Sequence, residues 1–207
     1  MLVFGSGFAG YVVLADTSTR SAVWTNGDNG RLAVRQLPLR DGQSGGYVGG
    51  ATTAGDRLVT ESSSSNVARS WIVTGDSWTP VLGPDENNDV FAEAISSTGT
   101  VVGQYRQDGN RDSALWATPD RPRLLLRLPG LPESQPWSVN STNDAVGEND
   151  DGTAARAVVW PAGDRAIAGP VLADSPSIRD VSVSINDQGL VPVFAHEVGC
   201  VWRLGDG

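Results

Sequence analysis

A tryptophan recurs through the chain at Trp24, Trp71, Trp116, Trp160 and Trp202, spaced by 47, 45, 44 and 42 residues. A period of that length constrains the fold more than any other feature, because it means one supersecondary unit repeated several times. Other columns repeat with it. Three residues before each tryptophan stands a small residue: Ser21, Ala68, Ser113, Ala157 or Gly199. A turn residue (Gly10, Gly55, Gly99, Asn143 or Gly189) lies 13 to 17 residues before it, followed by a β-branched run. Four residues before the last four of these turns stand Ala51, Ile95, Val139 and Ile185.

Each unit reads as short strands rich in Val, Ile and Leu, bounded by Gly, Pro, Asn and Asp. In the third, "FAEAIS" is a first strand and "TGT" a turn, "VVGQY" is a second strand and "RQDGNRD" its hairpin loop. "SALWA" is a third strand, "TPDRP" a turn and "RLLLRL" a fourth. No stretch of eleven residues carries a helical period. With 25 glycines and 12 prolines spread along 207 residues, the reading is all-β: a β-propeller of about five four-stranded blades, the last incomplete. The units run approximately over 1–40, 41–84, 85–130, 131–174 and 175–207 of a single propeller domain. On this reading the tryptophan fills the wedge between adjacent blades, and the small residue, on the opposite strand face, lets the next sheet approach.

The units resemble the HAF-type extracellular repeat family of bacterial β-propeller repeat proteins. Its pattern is an Ala-x-x-Ile-Asn turn, then Gly-x-Val-Val-Gly, then His-Ala-Phe-Leu-Trp. "AEAISSTGTVVGQY" with "SALW" is the nearest unit, and "WSVNSTNDAVGEND" with "AVVW" and "VSVSINDQGLVPVF" with "GCVW" follow it. The family histidine is replaced by Arg20, Val67, Asp112, Arg156 and Val198, and its phenylalanine by smaller residues. The resemblance implies a secreted or cell-surface protein. The opening "MLVFGSGFAGYVVLADTS" has no basic residue before Arg20 and is broken by Gly5, Gly7 and Gly10, so it reads as neither signal peptide nor membrane span. If Met1 is the true start, the expectation is cytoplasmic.

Charge narrows the partners. A net charge of −9 and a pI near 4.5 argue against nucleic acid or an anionic membrane surface. The single cysteine, Cys200, excludes an internal disulfide and reads as a small buried hydrophobe. No metal cluster or cofactor loop is expected, and nucleophile–base chemistry would depend on the one histidine, His196. "DENNDVFAE" sets Asp85, Asn87, Asp89 and Glu93 at spacings loosely like a calcium loop, but lacks its glycine and places the distal glutamate at position nine, so a solvated loop is preferred. "ENDDGT" reads as a hairpin turn and "ESSSSN" as a flexible loop.

Two aromatics fall outside the repeating column. Trp78 reads as an anchor for a fourth strand. Trp137 stands at the start of a first strand, near Glu133, Glu93 and Asp89. These four with Arg179 form the candidate binding surface, and the function expected is a non-enzymatic scaffold presenting a loop face to a protein or glycan. The alternatives are a carbohydrate-active enzyme (glycoside hydrolase or lyase) using channel-facing carboxylates among Asp89, Glu93 and Glu133, and a fragment of a larger propeller assembly. Monomer and self-association are both open.

Overall fold

The computed structural model describes all residues except 1, 5–6, 16–17, 27–30, 41, 66, 85–88, 163–164, 170–183, 196–197 and 205–207. Among these there is no helix; the elements are strands joined in sequence order into antiparallel meanders. The first sheet holds β1 (Leu2–Phe4), β2 (Gly7–Val13), β3 (Thr19–Asn26) and β4 (Leu32–Gln36). The second holds β5 (Gly45–Ala51), β6 (Arg57–Ser62), β7 (Ala68–Thr74) and β8 (Ser77–Val81). The third holds β9 (Val90–Ile95), β10 (Val101–Gln107), β11 (Asn110–Thr118) and β12 (Arg121–Leu124). The fourth holds β13 (Glu133–Val139), β14 (Ala145–Asp150), β15 (Ala155–Trp160) and β16 (Ile167–Ala168). Two strands of a fifth, β17 (Leu190–Ala195) and β18 (Val198–Arg203), are described.

Successive sheets stack face to face as in a propeller, each pair enclosing one apolar layer. Ala9, Val23 and Leu37 of the first sheet meet Val48, Val59, Trp71 and Val73 of the second. Leu58 and Val81 meet Val90, Val101 and Trp116. Val102, Leu115 and Leu125 meet Val139, Val158 and Trp160. Val146, Ala157 and Val159 meet Ile185, Val191 and Val193.

The tryptophan column has the packing role expected of it in the third and fourth sheets. Trp116 and Trp160 are buried, and each indole N–H donates to a carbonyl at the end of the preceding sheet, Leu82 O at 2.7 Å and Leu126 O at 2.6 Å. The second sheet departs. Cross-strand pairing sets Trp116 opposite Val101, Trp160 opposite Ala145 and Trp202 opposite Val191, each two residues past the turn residue. In the second sheet that place belongs to Val73, opposite Arg57, and Trp71 lies two residues earlier, opposite Val59. The long connection at 63–67 between β6 and β7 takes up residues that β10 and β11 spend in pairing. The small-residue column shifts likewise, and Ser70 rather than Ala68 is the counterpart of Ser113. Both hydroxyls grip the first strand of the next sheet: Ser70 Oγ donates to Val90 O at 2.7 Å and Ser113 Oγ to Ser134 O at 2.7 Å.

Four other expectations need correction. Gly10 lies inside β2, opposite Ala22, and is not a turn; Gly55, Gly99, Asn143 and Gly189 do have positive φ. "RQDGNRD" is mostly strand, because Asp108 and Gly109, with φ of 51° and 83°, close a two-residue turn of the kind that matches strand twist. The fourth strand of that sheet is Arg121–Leu124, since the tight turn at Pro119 and Asp120 starts the pairing early. Glu61 and Ser62, read as loop, belong to β6.

A bulge recurs in the first strands. Pairing skips one residue between Val48 and Gly50 in β5, between Ala92 and Ala94 in β9, and between Pro136 and Ser138 in β13. The extra residues are therefore Gly49, Glu93 and Trp137, 44 positions apart. Opposite the last two bulges stand Gly103 and Gly147, where a Cβ would lie 2.2 Å from Phe91 O and 2.0 Å from Gln135 O. The second sheet makes the opposite choice, with glycine in the bulge and Val59 across from it.

Candidate functional site

Sequence spacing singled out Glu93 as a carboxylate and Trp137 as an odd aromatic. Both occupy the bulge, a device that re-aims one side chain out of the regular alternation. Glu93 sits among the first strands of three sheets, with Tyr47 of β5 on one side and Gln135 of β13 on the other; Gln135 Nε2 donates to its Oε1 at 3.4 Å. Burial pushes the Glu93 carboxyl above the ordinary range, opposed by Gln135, Tyr47 and Arg111. Burial, followed by the Glu93 charge, pushes the Tyr47 phenol up. Trp137 is half-buried in mid-strand.

The remaining candidates divide. Glu133 is exposed at the start of β13 and lines a cleft of about 900 Å3 between the third and fourth sheets, with Arg106, Arg111, Asp112, Arg127 and Gln135. The arginines there are already held in place. Arg127 Nη2 donates to Asp112 Oδ1 at 2.5 Å and to Arg111 O at 3.1 Å, and Arg111 lies 4.5 Å over the Phe91 ring. Asp89 belongs to the frame. Its Oδ2 lies 3.2 Å from Arg106 Nη1 and its Oδ1 accepts the Ala68 N–H at 3.0 Å, tying the second sheet to the third. The structure thus gathers Glu133 and, through Gln135 and Arg111, Glu93 around one cleft, which Asp89 and Trp137 do not line. Arg179, His196, Asp85 and Asn87 lie outside the described residues. Among the described residues, no group of three His, Cys, Asp or Glu side chains could hold a metal ion.

A second cleft, of about 430 Å3, opens at the corresponding end of the first and second sheets, lined by Pro38, Leu39, Arg40, Arg69 and Trp71. Spacing does not reveal it, because Glu61, which lies beneath its lining residues Arg40, Arg69 and Trp71, falls in the stretch that reads as loop. Glu61 is only 1% exposed in β6, across from Arg69 of β7, and its Oε1 accepts the Arg40 N–H at 3.2 Å. Its second oxygen, Oε2, closes no hydrogen bond, nor do Arg69 Nε and Trp71 Nε1, although the Trp71 N–H lies near enough to the carboxylate to favour its ionised form; all three atoms are buried. The Arg40 guanidinium lies over the Trp71 ring at 4.8 Å and the Trp78 ring at 5.5 Å, while the two indoles meet edge to face. Burial pushes the Glu61 carboxyl up, opposed by the amide and charge of Arg40, by the neighbouring Trp71 indole and by Arg69.

An unsatisfied buried polar atom costs about 1–3 kcal/mol, so three in one place need a reason. The signal in the sequence was available. Glu61 stands six residues after Gly55, as Tyr105 does after Gly99 and Asn149 after Asn143, and those two are plainly in strands.

No family model matches the chain, and no curated protein matches it. Among solved structures it is similar to AofleA from Arthrobotrys oligospora, with a TM-score of 0.52 and 12% identity over 97% of this chain and 66% of that one. It is also similar to a catalytically inactive virginiamycin B lyase from Staphylococcus aureus with quinupristin, with a TM-score of 0.49 and 11% identity over 98% of this chain and 71% of that one. The chain therefore spans just under two thirds of the AofleA chain. At such identities the likeness concerns the fold alone.

Proposed function

We propose that the protein is a non-enzymatic binding scaffold of the propeller type, holding a glycan or protein ligand at the end of the sheets where inter-sheet connections and central hairpins meet. The observation that carries this reading is that the arginine side chains of the larger cleft are fixed before any ligand arrives: Arg127 by Asp112, Arg106 by Asp89, and Arg111 over Phe91. A preformed polar surface has little ordering left to lose on binding. Five units of one propeller domain, closing as a ring, and an exported protein of the HAF-type repeat family complete the reading.

The test is to probe glycan and peptide arrays with the full chain and follow each hit by calorimetry. Arg111→Ala and Glu133→Gln should weaken a hit at least tenfold without changing the fold, and light scattering should give a compact monomer. Binding that survives both substitutions would move the site elsewhere. The enzymatic reading keeps one observation in its favour, the buried acid Glu93 with its raised pKa. It requires product to be released from an array hit, and that release to vanish in Glu93→Gln.

A further inference from the structure

We infer that the cleft between the first and second sheets is a binding site for a single neutral sugar ring, held through hydroxyl groups by Glu61, Arg69 and Trp71. The inference rests on the scaffold reading but concerns a separate cleft and separate residues.

Three observations carry it. First, the atoms in want of partners are one acceptor, Glu61 Oε2, and two donors, Trp71 Nε1–H and Arg69 Nε–H. A hydroxyl group offers one donor and two acceptor lone pairs, so one hydroxyl, or two on adjacent carbons, satisfies the set. An ionised carboxylate has no proton to give Oε2, and an ammonium group cannot accept from either N–H. The chemistry therefore selects a neutral polyol over ions of either sign. Second, the cleft of about 430 Å3 falls within the range of small-molecule sites, about 300–1,000 Å3, and Pro38 and Leu39 supply an apolar wall for ring C–H groups.

Third, the frame does not need a glutamate here. At the corresponding place in the fourth sheet Asn149 does the same structural work, its Oδ1 accepting the connection N–H of Leu128 at 2.7 Å as Glu61 Oε1 accepts that of Arg40. An amide caps the connection; the second carboxylate oxygen serves nothing in the frame. Arg40 is the part that gives way. Its side chain is long and exposed, and its guanidinium lies on the Trp71 face that a sugar ring would cover.

The experiment titrates the full chain with D-glucose, D-galactose, D-mannose and N-acetylglucosamine, and with acetate as the anionic control. It is read by tryptophan fluorescence and calorimetry. At least one sugar should bind with unit stoichiometry and acetate should not. Glu61→Gln keeps an oxygen for the Arg40 amide, and Trp71→Phe removes the N–H while keeping an aromatic ring; each should weaken that sugar at least tenfold while the chain stays folded, and Arg40→Ala should leave it bound. No sugar binding, or binding indifferent to Glu61→Gln and Trp71→Phe, overturns the inference and leaves the cleft to water. The scaffold reading fails separately, when array hits are absent or ignore Arg111→Ala and Glu133→Gln.

Discussion

The second and fourth sheets solve the same local problem in different ways. In the fourth, a neutral amide and an indole sit deep against the preceding sheet and both are used: Asn149 accepts from Leu128 and donates to Glu148 O at 3.2 Å, and Trp160 donates to Leu126 O. In the second, a carboxylate and an indole occupy the neighbourhood, and Glu61 Oε2 and Trp71 Nε1 are left without partners. The backbone frames match, with a bulged first strand, a turn residue of positive φ and a connection capped from the second strand. Packing is thus satisfied by the neutral solution, and what the second sheet adds lowers stability where it stands.

The largest effect breaks the frame itself. Gly147→Val would put a Cβ 2.0 Å from a backbone carbonyl that cannot move without losing the bulge. We expect a loss of about 3 kcal/mol or more, the upper end for overpacking, measured by urea unfolding. Val59, at the equivalent place in the second sheet, faces Gly49 in the bulge and already carries the side chain that Gly147 cannot. Next, Asn149→Asp copies the second sheet's ionisable group into the fourth. Asn149 is fully buried and its amide donates to Glu148 O, so the exchange should cost about 2 kcal/mol at neutral pH and make unfolding pH-dependent. A smaller effect separates the two indoles. Trp160→Phe loses a hydrogen bond and orphans Leu126 O, so it should cost about 1 kcal/mol more than Trp71→Phe, whose N–H has no partner to lose. Equal costs would mean that the two tryptophans are equivalent after all.

The repeat was legible because its causes are local. Positive φ at Gly55, Gly99 and Asn143, and the wedge filled by Trp116 and Trp160, leave the same residue types at the same intervals. Register was not legible in the second unit, where a longer hairpin connection shifted Trp71 by two residues and turned a strand carboxylate into apparent loop. Nor could spacing show that Glu93 and Trp137 share one place, since a bulge is a pairing event between strands and only the glycine opposite records it. The carboxylates near Glu93 were visible as a group; that Asp89 is tied to Arg106 and the Ala68 amide depends on contacts between sheets.

Glu61→Gln should have the smallest effect on stability at low pH, and the pH dependence of that effect is the informative quantity. Burial raises the pKa of Glu61 in the folded state above its unfolded value. Between those two values the folded protein binds more protons than the unfolded chain, so stability is fully present below the unfolded pKa and is lost as pH rises through the folded one. Glutamine has no such transition. The variant should match the parent in mild acid and become relatively more stable as pH rises above the ordinary glutamate range. Glu93 is raised in the same direction, so the slope should shrink in Glu61→Gln and flatten only when Glu93→Gln is added. A ligand hydroxyl donating to Oε2 would favour the ionised carboxylate, so saturating sugar should shrink the parent's slope in the same sense while leaving that of Glu61→Gln unchanged. A slope that sugar does not alter would confine the carboxylate to a structural role and make the contrast between the second and fourth sheets one of packing alone.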